Sequence, residues 1–110
     1  MHSFDITDPD TYIEMEAWER LRSIIDPELH VNIIDLGLVY TIRANSTARM
    51  LVVVMTLSSP GCPVGEAILQ GVANCLQARF VDYKTDVQLT WEPAWGFDNI
   101  TEEGKKQLWG

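Results

Sequence analysis

Val52-Val-Val-Met-Thr-Leu-Ser-Ser-Pro-Gly-Cys-Pro-Val64 decides how this chain is read. The apolar run that opens at Met50 and closes at Leu57 is rich in β-branched residues, which suit a strand. Its nearly unbroken hydrophobicity suits a central or doubly covered one. Ser58-Ser59-Pro60-Gly61-Cys62-Pro63 ends the run, and a helical pattern follows at once. The spacing predicts a buried strand, a tight polar turn and a helix from about Pro63 to Phe80, with Cys62 at the junction. Val64, Ile68, Val72, Cys75, Leu76 and Phe80 form the helix's inner stripe.

Upstream, Asp8-Pro9 offers a helix cap followed by a proline at the first position, and Thr11-Tyr-Ile-Glu14 offers a rival capping box. Ile13, Ala17, Trp18, Leu21, Ile24 and Ile25 continue at helical spacing, and Pro27 sets the expected end near Asp26. Residues 1–10 read as a loose tail. Ile33-Ile34 and Leu36-Gly-Leu-Val-Tyr-Thr-Ile-Arg43 suggest a first strand with Asp35 at its start. The short connection Ala44–Arg49 makes an antiparallel hairpin with the second. Downstream, Val87, Leu89 and Trp91 alternate with Gln88 and Thr90 as a third strand, reached by a parallel, right-handed crossover. Trp91-Glu-Pro-Ala-Trp-Gly-Phe97 leaves the sheet as an aromatic segment expected to pack over it, and Thr101–Leu108 suggests a terminal helix. The expected fold is therefore α-β-β-α-β: an α/β (α+β) two-layer sandwich on a small mixed three-stranded sheet. Residues 1–110 are expected to form one domain.

The net charge of −8 and the isoelectric point near 4.5 argue against nucleic acid or an anionic membrane as partner, since only eight Lys and Arg are present, and they are scattered. No apolar run reaches the length that spans a bilayer, and the acidic N-terminus lacks a signal pattern, so a cytoplasmic location is expected. Cys62 and Cys75 would lie roughly 18 Å apart along the second helix, too far for a disulfide. Two unlinked thiols suit a reducing compartment.

Cys62 is the sharpest chemical signal. A helix N-terminus stabilises an anion, lowers a thiol's pKa and raises its thiolate fraction. Cys75, on the inner stripe, reads as core. Asp26, Glu28 and His30 form a polar cluster in the first loop. That loop and the start of the second helix are expected to converge beside the sheet, where carboxylate and imidazole would tune a thiolate or share a metal. Ser58 and Ser59 read as caps of the second helix or as hydrogen-bond partners of the sulfur. No phosphate-binding glycine loop and no C-x-x-C are present.

Four stretches stand in a fixed order: Asp26-Pro-Glu-Leu29, Asn32-Ile-Ile-Asp-Leu-Gly-Leu-Val-Tyr40, Met55-Thr-Leu-Ser-Ser-Pro-Gly-Cys-Pro63 and Trp91-Glu-Pro-Ala-Trp95. Together they resemble the metal–sulfur cluster biosynthetic family, which includes SufT-like iron–sulfur assembly factors and the N-terminal part of PaaD-like proteins. The likeness runs from about residue 14 to 108. It implies an α/β sandwich and a role in assembling or delivering iron–sulfur clusters. It also marks Asp26, Glu28, Leu29, Ser58, Ser59 and Cys62 as the motif positions. Ser58-Ser59 stands where relatives often carry two threonines, and His30 stands where a small residue is common. Residues 1–110 show neither the cysteine-rich extension of PaaD-like proteins nor the P-loop domain of related ATPases, so a likeness to stand-alone SufT-like proteins is expected.

A conventional cluster needs about four ligands, mostly thiolates, and this chain offers one. The expected cofactor is therefore iron or an iron–sulfur cluster held transiently, either shared between two chains of a homodimer or passed to a partner. Other iron–sulfur assembly proteins and recipient apo-proteins are the expected partners. Cys62 is the expected ligand, with Asp26, Glu28, Leu29, His30, Ser58 and Ser59 in support and no catalytic residue assigned. A maturation or carrier factor is expected rather than an enzyme. The alternatives are an enzyme with Cys62 as nucleophile and His30, Asp26 or Glu28 as base, and an interaction module in which the thiol is idle.

Overall fold

The structure, a computed structural model, describes residues 8–61 and 64–110. Its elements are α1 (Pro9–Arg20), a 3-10 turn (Leu21–Ser23), β1 (Val39–Asn45), β2 (Met50–Met55), α2 (Gly65–Arg79), β3 (Lys84–Leu89), a second 3-10 turn (Phe97–Asn99) and α3 (Glu102–Trp109). The expected order and the two-layer α+β architecture are both present.

Asp8, not Thr11, caps α1: its side chain accepts the Asp10 N–H at 2.9 Å, and Pro9 opens the helix. The loose tail expected over residues 1–10 is thus too long, because Pro9 and Asp10 are helical; residues 1–7 lie outside the described part. At its far end α1 stops at Arg20, six residues short of Asp26. Proline is not the cause. Ile24 turns extended and its carbonyl accepts the Ile33 N–H at 3.0 Å, while Ile25 bridges Asn32. Local pairing between the two ends of the loop takes the backbone away from the helix.

The first strand also begins later than its apolar residues suggest. Ile33, Leu36 and Leu38 are fully buried, yet they lie in successive turns rather than a strand. Leu36 N–H bonds Asn32 O at 3.1 Å and Leu38 N–H bonds Ile33 O at 3.1 Å. Gly37 takes φ +74° there, and the space a Cβ would need is occupied by the Asn99 carbonyl. Only glycine fits that turn.

The sheet runs β1-β2-β3, with β1 antiparallel and β3 parallel to β2. Both pairings are those expected from the hairpin and the crossover. β2 is the central strand. Leu51, Val53 and Met55 are 0% exposed on one face, and Met50, Val52 and Val54 are half-buried on the other. α1 packs on β1 and α2 on β3, and the two helices touch. They share the Leu51–Val53–Met55 side with Ala17, Leu21, Ile68, Val72 and Leu76. Each fully buried side chain of this kind contributes about 2 kcal/mol. β3 covers Lys84–Leu89 rather than Val87–Trp91, because its parallel register pairs Met50 with Lys84 and Met55 with Leu89. α2 begins at Gly65, not Pro63, and no side chain caps it at Val64. No helix among the described residues is long and apolar enough to cross a membrane.

Candidate functional site

One end of the sheet collects the connections that carry the motifs. α1 starts beside the end of β1, where Asp10 Oδ1 accepts the Ser46 N–H at 2.7 Å and Glu14 Oε2 accepts the Ala44 N–H at 2.8 Å. It then runs back toward the start of β1. The end of α1, the approach to β1, the carboxyl ends of β2 and β3 and the start of α2 therefore share that end. Open α/β sheets tend to hold their ligands there.

Residues 26–31 form a closed loop at this end. Asp26 N–H bonds Val31 O at 3.0 Å, and the His30 N–H bonds Asp26 O at 2.8 Å. Asp26 Oδ1 accepts the backbone N–H groups of Glu28 at 2.7 Å and Leu29 at 3.1 Å. An aspartate folding its own following residues in this way explains its place before Pro27-Glu28. The side chain is 1% exposed, and Oδ2 accepts no hydrogen bond from the described residues. Leu29 packs against the core, so its role in this loop is apolar; Glu28 and His30 are exposed. His30 has φ +60°, a left-handed conformation that glycine adopts more readily.

A carboxylate oxygen that is buried without a partner is costly and calls for a reason. Glu16 Oε2 and Thr85 Oγ1 also lack hydrogen bonds among the described residues. Glu16 Oε2, however, faces the guanidinium groups of Arg79 and Arg20. Asp26 Oδ2 has no ion pair among the described residues.

Ser58–Gly61 is the second motif segment. Ser59 Oγ accepts the Gly61 N–H at 3.3 Å, so this hydroxyl shapes the turn and does not cap α2. Ser58 lines a recess of about 310 Å³ together with Leu57, Pro60, Trp91, Ala94 and Trp95. The aromatic segment is pinned there by two bonds. Trp95 Nε1 donates to Leu36 O at 2.7 Å, and Tyr40 donates its hydroxyl to Pro93 O at 2.7 Å. The Glu92–Pro93 peptide is cis. Trp91 and Trp95 thus wall the serine turn; the sequence pointed to packing over the sheet, with partner binding as the alternative. Their recurrence four residues apart around a proline was the available signal. Cys62 and Pro63 lie outside the described residues.

Asp35 does not open a strand, although its place before Leu36–Arg43 suggests one. It is instead a structural junction, 5% exposed. It accepts from Asn32 Nδ2 at 2.7 Å, Thr101 Oγ1 at 3.0 Å and Arg22 Nη1 at 3.2 Å. Burial pushes its pKa up, but these bonds and the nearby Arg22 charge outweigh burial and hold it below the usual aspartate value. Cys75 is half-buried against the core, with Sγ 3.7 Å from Arg20 O. Among the described residues no three His, Cys, Asp or Glu side chains group as a metal cage.

Residues 14–80 match the family described as "Iron-sulfur cluster assembly protein". An Fe-S protein maturation auxiliary factor of Porphyromonas gingivalis is 34% identical over 95 residues, covering 86% of this chain and 90% of that protein. The Staphylococcus aureus Fe-S protein maturation auxiliary factor SufT is 37% identical over 85 residues, covering 77% of this chain and 96% of that protein. The crystal structure of a DUF59 domain of unknown function from Bacillus anthracis superposes with a TM-score of 0.84 at 31% identity, covering 90% of this chain and 93% of that one.

Proposed function

The chain belongs to the iron–sulfur cluster assembly protein family, and from that premise we propose that it is an auxiliary factor in the maturation of iron–sulfur proteins. Cys62 is the transient ligand of iron or of a cluster in transit. Asp26 is the group that receives the thiol proton as the sulfur engages the metal: the S–H bond breaks, a sulfur–iron bond forms and the proton passes to Oδ2. The observation that carries this reading is the buried Asp26 carboxylate, with one oxygen committed to the Glu28 and Leu29 amides and the other uncommitted among the described residues. Glu28, Leu29 and His30 shape the loop that presents it, and Ser58 and Ser59 shape the turn that leads to Cys62.

Iron or the cluster is cargo here. One thiolate per chain is too few for a conventional cluster, so the remaining ligands come from a second copy, another assembly protein or the recipient apo-protein. The acidic surface favours protein partners over nucleic acid, and the compartment is the reducing cytoplasm.

The test is anaerobic reconstitution with ferrous iron and sulfide. Wild-type protein should develop visible charge-transfer absorption and retain iron through desalting, and Cys62→Ser should lose both. Asp26→Asn should load more slowly while keeping Cys62 reactive toward iodoacetamide. Undiminished iron in Cys62→Ser would overturn the reading.

A further inference from the structure

The helices cover only one face of the sheet, and the register shows what the other face carries. Along β2 the uncovered side presents Met50, Val52 and Val54, each half-buried. Arg43 pairs with Val52 on one side and Asp86 pairs with Val52 on the other. One row across the uncovered face therefore reads cation, apolar, anion. The row through Val54 holds Thr41 and Gln88, and the row through Met50 holds Asn45 and Lys84. Arg43 is exposed and enters no ion pair among the described residues. Among the described residues the Asp86 carboxylate accepts only from Gln88 Nε2, at 2.9 Å.

We propose that this face is the contact surface of a two-fold dimer of the chain, its two sheets stacked with the axis along the strands. A rotation about that direction lays β1 of one copy over β3 of the other at the same height. Arg43 of each copy then meets Asp86 of its mate, and the Val52 and Val54 stripes face each other. The surface is complementary to itself only in this sense. Rotation about an axis across the strands inverts the rows and sets Arg43 over its own strand. Sheets packed face to face sit about 10 Å apart, within reach of an arginine and an aspartate that point toward each other.

The outer edge of β1 is a poor rival, because Glu14 and Asp10 already occupy the Ala44 and Ser46 amides. Antiparallel pairing of two β3 edges would send the carboxyl ends of the two β2 strands to opposite poles. The proposed stacking puts both at the same pole. It thus deepens the shared-cargo form of the function above by bringing two Ser58–Gly61 turns to one end of the assembly.

The experiment is sedimentation equilibrium of the metal-free chain across a micromolar to millimolar range. A reversible dimer is expected. Arg43→Glu and Asp86→Lys should each weaken it by about tenfold or more, since each change sets two like-charged contacts in place of two ion pairs. The combined Arg43→Glu/Asp86→Lys chain should recover the wild-type constant. Both positions lie on the uncovered face, so circular dichroism should remain that of the wild type. A chain that stays monomeric throughout, or a dimer indifferent to both single changes, overturns the proposal. No metal takes part, so this result stands apart from that of the reconstitution.

Discussion

Asp26 uses its two carboxylate oxygens differently. Oδ1 holds the Glu28 and Leu29 amides, and Oδ2 has no hydrogen-bond partner among the described residues. Asp26→Asn keeps an oxygen for those amides, so its stability should stay within about 1 kcal/mol of wild type. Asp26→Ala strands both amides and should cost about 1–3 kcal/mol. Urea unfolding of the two variants separates the loop-folding role from the open oxygen. The motif Asp26-Pro27-Glu28 was visible in sequence as a polar loop. The depth of Asp26 was not, because neighbouring residues give no sign of whether a loop lies over a core. Nor was the strain at His30, since a left-handed φ follows from how Asp26 and Val31 close the loop.

At the scale of elements, α3 is fastened to the approach to β1 through Asp35. Thr101 donates its backbone N–H to Asp35 O at 2.8 Å and its hydroxyl to the carboxylate. The same hydroxyl accepts the Gly104 N–H at 3.0 Å. A glycine inside a helix usually weakens it, yet a Cβ at Gly104 would lie 2.8 Å from Asp35 O. The glycine is what lets the helix sit against that carbonyl.

The carboxyl pKa is lowered in the fold, so Asp35 contributes stability that is fully present above the ordinary aspartate value and is lost as pH falls through the lowered one. Urea midpoints measured near pH 7 and near pH 3 should therefore fall less for Asp35→Asn than for wild type. The first strand was misplaced for a related reason. Ile33, Leu36 and Leu38 have the hydrophobicity of a strand, but Asn32 and Gly37 turn the backbone, and Asp35 is tied to elements distant in sequence. The central strand, by contrast, was legible because its nearly unbroken apolar run and flanking turns agree with its tertiary position.

For the molecule as a whole, the two faces of the sheet should respond differently to truncation. Leu51→Ala, under the helices, should cost about 3 kcal/mol. Val52→Ala, one residue along on the uncovered face, should cost less than about 1 kcal/mol in dilute solution. Comparing the two by chemical denaturation reads the layer structure directly, and equal losses would mean that both faces are covered. The order α-β-β-α-β and the strand senses were legible because short connections and the crossover rule leave few choices. The meeting of Trp91 and Trp95 with the serine turn was not, since it depends on where the chain goes after leaving the sheet.

Asp10 and Glu14 have a consequence beyond holding α1 in place. By occupying amides on the outer side of β1, they deny a passing extended strand the donors it would need to dock. A chain lacking both acids would expose a bare ladder on that flank. Two half-buried carboxylates thus keep that flank from offering its free amides as a template for another strand.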